Sequence, residues 1–534
     1  MIKTNDHNQL HLFDPWDFLS PKRRKLLDDS WAGLFQKEIL RSLPVNLIKP
    51  CFSREAGRPT KELFTMLGVL LLQQAHDLTD EETVSQLAFN IQWHYALNLT
   101  EESDAAKYLC LKTLWNFRQL MIEKKLDKAL FNAIADKLSV VFQVNADNQR
   151  IDSVHVKSNM RRLGRISIFA ASINKFLVNL KRKSPDHFSG ISTDVIGKYI
   201  SEKALSCFSM VKPSDSAKTL ASVSKDLYHL IQEFKSDSDV SSMYSYKLLE
   251  RVLKEQCNLE VDPESGQKVA LKAPKEIPSD SLQNPSDPDA TYSGHKGQGY
   301  QVQVMETFTE TEDEDEKART LNLITHVEVE PASASDANAL IPAMDAAKQR
   351  NLSPKELQAD SLYGSDENHQ IAQSDGINLV SPTMGTTKKE KLSLTDFNLA
   401  ADGQIITCPQ GHAPVFKKKK KERITQGFPL DTCMGCPQLE DCPVRLGKKY
   451  AYSRYTAKAA RIARRRAYEQ TDEFKDRYRW RAGVEATMSE YDRRTGVKRL
   501  KYRGLQAVRF AATLKAAGIN LFRATIVQKA LSYA

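Results

Sequence analysis

The sequence predicts an α+β protein of several domains, with an all-helical N-terminal part followed by a mixed α/β core that insertions interrupt. Three observations predict it. A chain of 534 residues with 41% hydrophobic residues is larger than one core usually serves. Apolar residues recur at helical spacing through residues 15–145, as in Leu63, Met66, Leu67, Leu70, Leu71 and again Leu111, Leu114, Phe117, Met121. Past Arg150 the texture changes to short β-branched runs separated by helical stretches.

The helical part carries start signals at Ser20-Pro21, at Pro59 after Arg58, and at Thr79-Asp80-Glu81-Glu82. Ile151-Asp152-Ser153-Val154-His155-Val156 then predicts a first strand with Asp152 on the face of Val154 and Val156. Residues 160–270 return to helical patterns with a Ser/Asp-rich break at Ser236–Ser245, and Pro274–Ser293 is a Pro/Ser/Asp linker. Tyr300–Val304 and Leu323–Glu330 alternate strictly and predict strands two and three as a hairpin, with the acidic run Glu310–Glu316 as a solvated turn. A helix over Asp336–Gln349, a strand ending in Leu357–Asp360, a helix near Asp366–Ser374 and a strand at Ile377–Val380 complete a mixed sheet. In the order 3-2-1-4-5, strands one and four are neighbours.

Charge is unevenly spread. Residues 401–534 hold 29 Lys and Arg against 12 Asp and Glu, a net +17, while the first 400 residues sum to −7. Clustered basic charge calls for a polyanion, most simply nucleic acid, because phosphate neutralisation releases counterions. Met1–Trp16 lacks an apolar signal core, and the apolar run Leu63–Leu72 is too short for a bilayer, so the expectation is a soluble cytoplasmic protein with no membrane partner.

Three carboxylates carry chemistry. Asp152 lies within strand one and Asp360 ends strand four; placed side by side, they could bridge one or two Mg²⁺ ions, although a lone strand-end Asp is more often a turn former. Tyr478, Arg481 and Glu485 are spaced i, i+3, i+7 and share one face if the helix is continuous. Alone, that would be an ordinary surface Arg–Glu pair. Glu490 sits five residues beyond Glu485, roughly 140° around such a helix, and serves as its natural control.

Ile151-Asp152-Ser153, Ala359-Asp360-Ser361-Leu362-Tyr363-Gly364 and Tyr478-x2-Arg481-x3-Glu485 together resemble the catalytic signature of bacterial insertion-sequence DDE transposases of the cut-and-paste type. Gly57-Arg58-Pro59 before a long apolar helix, and Ser286-Asp287-Pro288-Asp289 leading to Gly299-Tyr300-x-Val302-Gln303, are similar to that family as well. The resemblance implies a ribonuclease H-like core, with Asp152, Asp360 and Glu485 catalytic and holding Mg²⁺ or Mn²⁺, and Tyr478 and Arg481 touching DNA. It implies double-stranded DNA as partner, both terminal inverted repeats and target, and a homodimer that pairs two ends in a nucleoid-associated setting. The family's Lys seven residues after the Glu is Asp492 here, so Arg493, Arg494, Lys498, Arg499 and Arg503 are the candidate phosphate contacts. The same core could serve a nuclease without strand transfer, or a catalytically silent DNA-binding protein derived from an element.

Cys408, Cys433, Cys436 and Cys442, with His412 as a substitute ligand, suit a tetrahedral structural Zn²⁺ site, and Lys417–Lys421 within the same stretch is a phosphate contact or a solvated hairpin tip. Cys51, Cys110, Cys207 and Cys257 are scattered and read as core thiols. The expected division is a helical DNA-binding domain over 1–145, a catalytic core from 146–160, 295–400 and 465–534 that ends in a basic helix, a helical insertion and linker over 161–294, and a Cys-rich basic insertion over 401–464.

Overall fold

The computed structural model describes residues 2–7, 14–53, 59–200, 208, 210–262, 266–385 and 391–532. Gly57, Arg58 and Cys207 lie outside them. The N-terminal part is helical, and two of the start signals act as capping chemistry predicts. Pro21 opens a helix that runs to Asp28, and Thr79 and Glu82 form a reciprocal capping box on the helix Asp80–Phe89. The central helix α1 (Leu63–Ala75) is apolar on nearly all sides, and Glu62 closes its first turn by accepting from the Thr65 N–H at 2.6 Å. Its neighbours α2 (Leu111–Glu123) and α3 (Asp127–Val141) turn Leu114, Phe117, Leu130 and Ile134 inward.

Strand β1 (Asn148–Lys157) is the centre of the main sheet. It is followed by insertion helices α4 (Arg165–Lys183), α5 (Pro213–Phe234) and α6 (Tyr244–Gln256), which close a core of their own around Phe169, Phe176, Leu227 and Leu249. The sheet resumes with β2 (Gly297–Thr307), β3 (Ile324–Pro331), helix α7 (Leu340–Gln349), β4 (Glu356–Gln358), helix α8 (Asp366–Ser374) and β5 (Asn378–Val380). Its order is β3-β2-β1-β4-β5, the predicted one, with a short strand Thr291–Ser293 also on β2. The parallel β1–β4 register pairs Arg150 with Gln358, so Asp152 and Asp360 each lie two residues beyond paired positions.

One apolar core joins Val154, Val156, Val302 and Val304 on one sheet face to the N-terminal helices and to the last helix, α12 (Leu505–Ser532). The other face packs Ile151, Met305 and Leu357 under α7 and α8. Helix α12 corrects the expected basic C-terminal helix. It is long and apolar enough to cross a membrane by length and composition, yet 83% of its most apolar window is buried inside the protein. Partly buried ion pairs from Arg509 to Asp127 at 2.9 Å and from Lys515 to Asp77 at 2.6 Å tie it to the N-terminal helices.

Two loop readings also change. The acidic run folds in part into a short helix, Glu314–Arg319, capped by Asp313. The stretch read as a linker is anchored: Asp287, fully buried, accepts from the Tyr300 hydroxyl at 2.5 Å and the Gly504 N–H at 2.9 Å, while Asp289 accepts from the Leu505 N–H. Both carboxylates thus meet the positive N-terminal end of α12.

Burial holds the His326 imidazole down to about 3 and His76 to about 4, so both stay neutral in the fold at pH values where an unfolded chain protonates them. Because the unfolded state then binds more protons, stability is full above the ordinary histidine range and is lost as the pH falls below about 6.5. The urea midpoint is expected to be flat above pH 7 and to drop between pH 6.5 and 4.5.

Candidate active site

Asp152 is largely buried at the centre of the sheet. Its Oδ1 accepts from the Ser153 N–H at 2.7 Å and its Oδ2 from Arg481 Nη2 at 2.6 Å. Burial pushes its carboxyl up; Arg481 and the Ser153 N–H oppose this, and the like charges of Asp360 and Asp336 reinforce it. Asp360 accepts from the Leu362 N–H at 2.8 Å, which bends the chain out of β4.

The third carboxylate arrives on a helix that is not continuous. Helix α10 (Asp472–Tyr478) gives way to a 3₁₀ turn over Arg479–Ala482 before α11 (Gly483–Thr495) begins, which corrects the single helical face expected for Tyr478, Arg481 and Glu485. Arg150 reaches the break. Its Nη1 donates to the Trp480 carbonyl at 2.8 Å, and a Cβ at position 483 would stand 2.1 Å from that same nitrogen, so any larger residue there would displace the guanidinium. The three side chains still converge. Arg481 Nη1 donates to Glu485 Oε1 at 3.3 Å, so one guanidinium spans Asp152 and Glu485. Tyr478, stacked on Phe474 with centroids 5.3 Å apart, lies in the field of Asp360, Asp152 and Glu485.

Beneath this cluster lies an ionic network that sequence reading missed. Glu306 of β2, with no exposed surface, accepts from Arg150 Nε, Arg523 Nη1 and Thr487 Oγ1, each at 2.8 Å. Burial alone would raise its carboxyl; Arg523 and then Arg150 outweigh that and hold it below the usual range. Arg523 Nε also donates to Glu490 at 2.8 Å, and Glu490 meets Arg494 at 3.1 Å. Glu490 is therefore no neutral control for Glu485, because it helps hold α11 on α12. Asp336 is the other missed neighbour: 6% exposed, it accepts from Gln303 at 2.8 Å and lies 3.5 Å from Lys296 Nζ, which donates to Ser153 Oγ at 2.9 Å. The available signals were an Arg two positions before Asp152 and a Glu inside an apolar strand.

The other basic candidates stand apart from the carboxylates, at the far end of α11, which Gly496 ends in a left-handed conformation (φ 62°). Arg493 and Arg499 are exposed, Arg494 pairs with Glu490, and Arg503 donates to the Asn159 carbonyl. Asp492, in the place of the expected Lys, accepts from the Lys498 N–H and lies 3.8 Å from its ammonium.

In the Cys-rich segment an antiparallel sheet contains β6 (Phe416–Lys420), β7 (Arg423–Pro429) and β8 (Tyr450–Thr456), with Lys417–Lys420 exposed on its edge and the β6–β7 hairpin turning at Lys421-Glu422. Cys408, Cys433, Cys436, Cys442 and His412 line one cavity of about 30 Å³. Burial and the neighbouring thiols push Cys433 up. Among the described residues, however, no group of three or more His, Cys, Asp or Glu is arranged to hold a metal ion. For the carboxylates the donor chemistry fits a hard divalent cation, since Asp360 and Asp336 crowd negative charge onto Asp152, but Arg481 spans the gap such an ion would fill. For the thiols the donor types fit zinc while the ligand set is not closed.

Two family models match the chain. Residues 407–525 match the transposase DDE domain and residues 31–120 match a transposase domain designated DUF772. Both matches support an insertion-sequence DDE transposase. The first match holds the Cys-rich segment, Tyr478, Arg481 and Glu485; the second holds α1 and most of α2. Asp152 and Asp360 fall outside both matched segments. No curated protein and no solved structure matches the chain.

Proposed function

We propose that this transposase cleaves double-stranded DNA at the terminal inverted repeats of its element and joins the freed ends to target DNA, acting as a homodimer through a ribonuclease H-like core. The observation that carries the reading is the convergence of Asp152, Asp360 and Glu485, from two adjacent parallel strands and a distant helix, around a single guanidinium. Asp152, Asp360 and Glu485 would hold Mg²⁺ or Mn²⁺, which supplies Lewis-acid stabilisation of the oxygens at the phosphorus. Arg481, with planar paired donors, binds a non-bridging phosphate oxygen, and Tyr478 borders the strand beside it. Water attacks phosphorus and releases a 3′-hydroxyl; that hydroxyl then attacks a target phosphodiester in line. No side-chain nucleophile is needed.

The test incubates the purified full chain with a duplex carrying an end of its own element and a supercoiled target in Mg²⁺. End cleavage with joined products supports the reading. Cleavage without joining makes the protein a nuclease. Binding without any cleavage makes it a silent DNA-binding derivative.

Exposed Arg493 and Arg499 are proposed phosphate contacts. Replacing both by Gln is expected to weaken binding to every duplex sequence and to lower the slope of log affinity against log salt by about 0.9 per lost contact. Polarisation titrations across salt concentrations measure this. A structural Zn²⁺ on Cys408, Cys433, Cys436 and Cys442 belongs to the same reading, and elemental analysis of reduced protein is expected to find about one zinc per chain.

A further inference from the structure

Helix α9 (Ala457–Tyr468) leaves β8 and runs past the open edge of the main sheet, where β5 has β4 as its only strand neighbour among the described residues. Between α9, α8 and β5 lies an open cavity of about 650 Å³, floored by Ile377 and Leu379 and walled by Arg461, Arg464, Arg465 and Tyr468. The three arginines follow i, i+3, i+4 spacing, so they present one basic face. Among the described residues their ion-pair partner is Asp366, buried at 4% side-chain exposure, which meets Arg461 at 2.7 Å and Arg465 at 3.0 Å, while Glu422 and Glu469 act on Arg461 and Arg465 from further off. Arg464 donates to the Ala401 carbonyl at 2.7 Å, its one hydrogen bond among the described residues. Arg465 keeps its Nε and Nη2 buried with no protein acceptor, a situation that a polar ligand or water normally relieves. His369, on the opposite wall, is kept neutral by burial, down to about 4, and adds no competing charge.

Guanidinium groups in such a cluster select planar or tetrahedral oxyanions, and phosphate above all. The volume exceeds that of a bare phosphate and suits a nucleotide unit, with Tyr468 at the rim as a surface for a base. Two strand spacings, roughly 10 Å, separate β5 from β1 sideways, and Leu379 pairs with Leu357, three residues before Asp360, roughly a further 10 Å along the strands, so DNA seated at the carboxylates can bring a neighbouring phosphate to this edge. We infer that the cavity is a second phosphate-binding subsite, separate from the carboxylates and from the basic run 493–503, that takes a backbone phosphodiester of the DNA being processed. This rests on the DNA-processing reading above; the shared chemistry is a phosphate group, which could also come from a free phosphate or nucleotide.

Two variants at exposed positions test it without disturbing Asp366. Gln373→Glu adds a negative charge to the rim, and Arg464→Gln removes one donor. With the full chain in the absence of divalent cation, polarisation against a labelled duplex of arbitrary sequence is expected to show several-fold weaker binding for Gln373→Glu, and a salt slope lower by about 0.9 for Arg464→Gln. In parallel, calorimetry with inorganic phosphate and with a deoxynucleoside monophosphate tests the free ligands. Loss in the duplex arm supports the subsite as a DNA contact. Binding of the free ligands to wild type, abolished in Gln373→Glu, with duplex affinity unmoved, keeps the phosphate pocket and assigns it to a small ligand. Unchanged duplex binding with no free-ligand binding overturns it. A wild-type chain that binds no duplex at all overturns the proposed function instead, while the calorimetric arm still decides the pocket.

Discussion

Glu485→Gln is expected to lower end cleavage by roughly 10³-fold or more while DNA affinity stays within about twofold, because phosphoryl transfer depends on positioned charge and the amide keeps the shape while removing that charge. Glu485 is the accessible member of the trio, at 71% side-chain exposure, and its one ion-pair contact among the described residues is Arg481. The substitution therefore disturbs little of the fold. Asp472, fully exposed at the start of α10, supplies the control, and Asp472→Asn should retain activity. Glu490→Gln should instead lower stability through its lost pairs with Arg523 and Arg494. Single-turnover cleavage and circular dichroism melts, run on all three variants, separate the effects. If Glu490→Gln loses cleavage at full stability while Glu485→Gln remains active, the carboxylate assignment fails.

The second large effect belongs to Glu306. Glu306→Ala removes the acceptor shared by Arg150, Arg523 and Thr487, leaving two buried guanidinium groups short of a counter-charge. Breaking one side of a buried ion network costs about 3–5 kcal/mol. The loss should reach the site as well, since Arg150 holds the Trp480 carbonyl and Thr487 lies on α11, two residues past Glu485. Urea denaturation is expected to show a lowered midpoint, with cleavage depressed even where the protein is folded. A midpoint within experimental error of wild type would show that the network contributes nothing net.

Local chemistry made much of this protein legible in its sequence. Thr79 and Glu82 announce a capping box, the β-branched run around Asp152 announces a strand, and the alternation at Tyr300–Val304 announces its partner. These are short-range signals in which one residue's hydrogen bond or facing is set by neighbours a few positions away. The strand order also followed, because the β2–β3 hairpin and the short β4–α8–β5 connection leave few ways to lay five strands side by side. That order was enough to bring Asp152 next to Asp360.

Long-range packing decided the rest. The sequence reads the C-terminal end as a basic helix; the burial of α12 against α1, α3 and the sheet depends on partners hundreds of residues earlier, such as Asp77 and Asp127. Tyr478, Arg481 and Glu485 do not share a continuous helix, and the turn between them offers its Trp480 carbonyl to Arg150, which lies 330 positions earlier. Glu490 looked like a free surface acid by helical periodicity, but Arg523 from another helix claims it. Periodicity states which way a side chain faces, whereas the charge that meets it there is supplied by a different part of the chain, and only the folded arrangement brings the two within hydrogen-bonding distance.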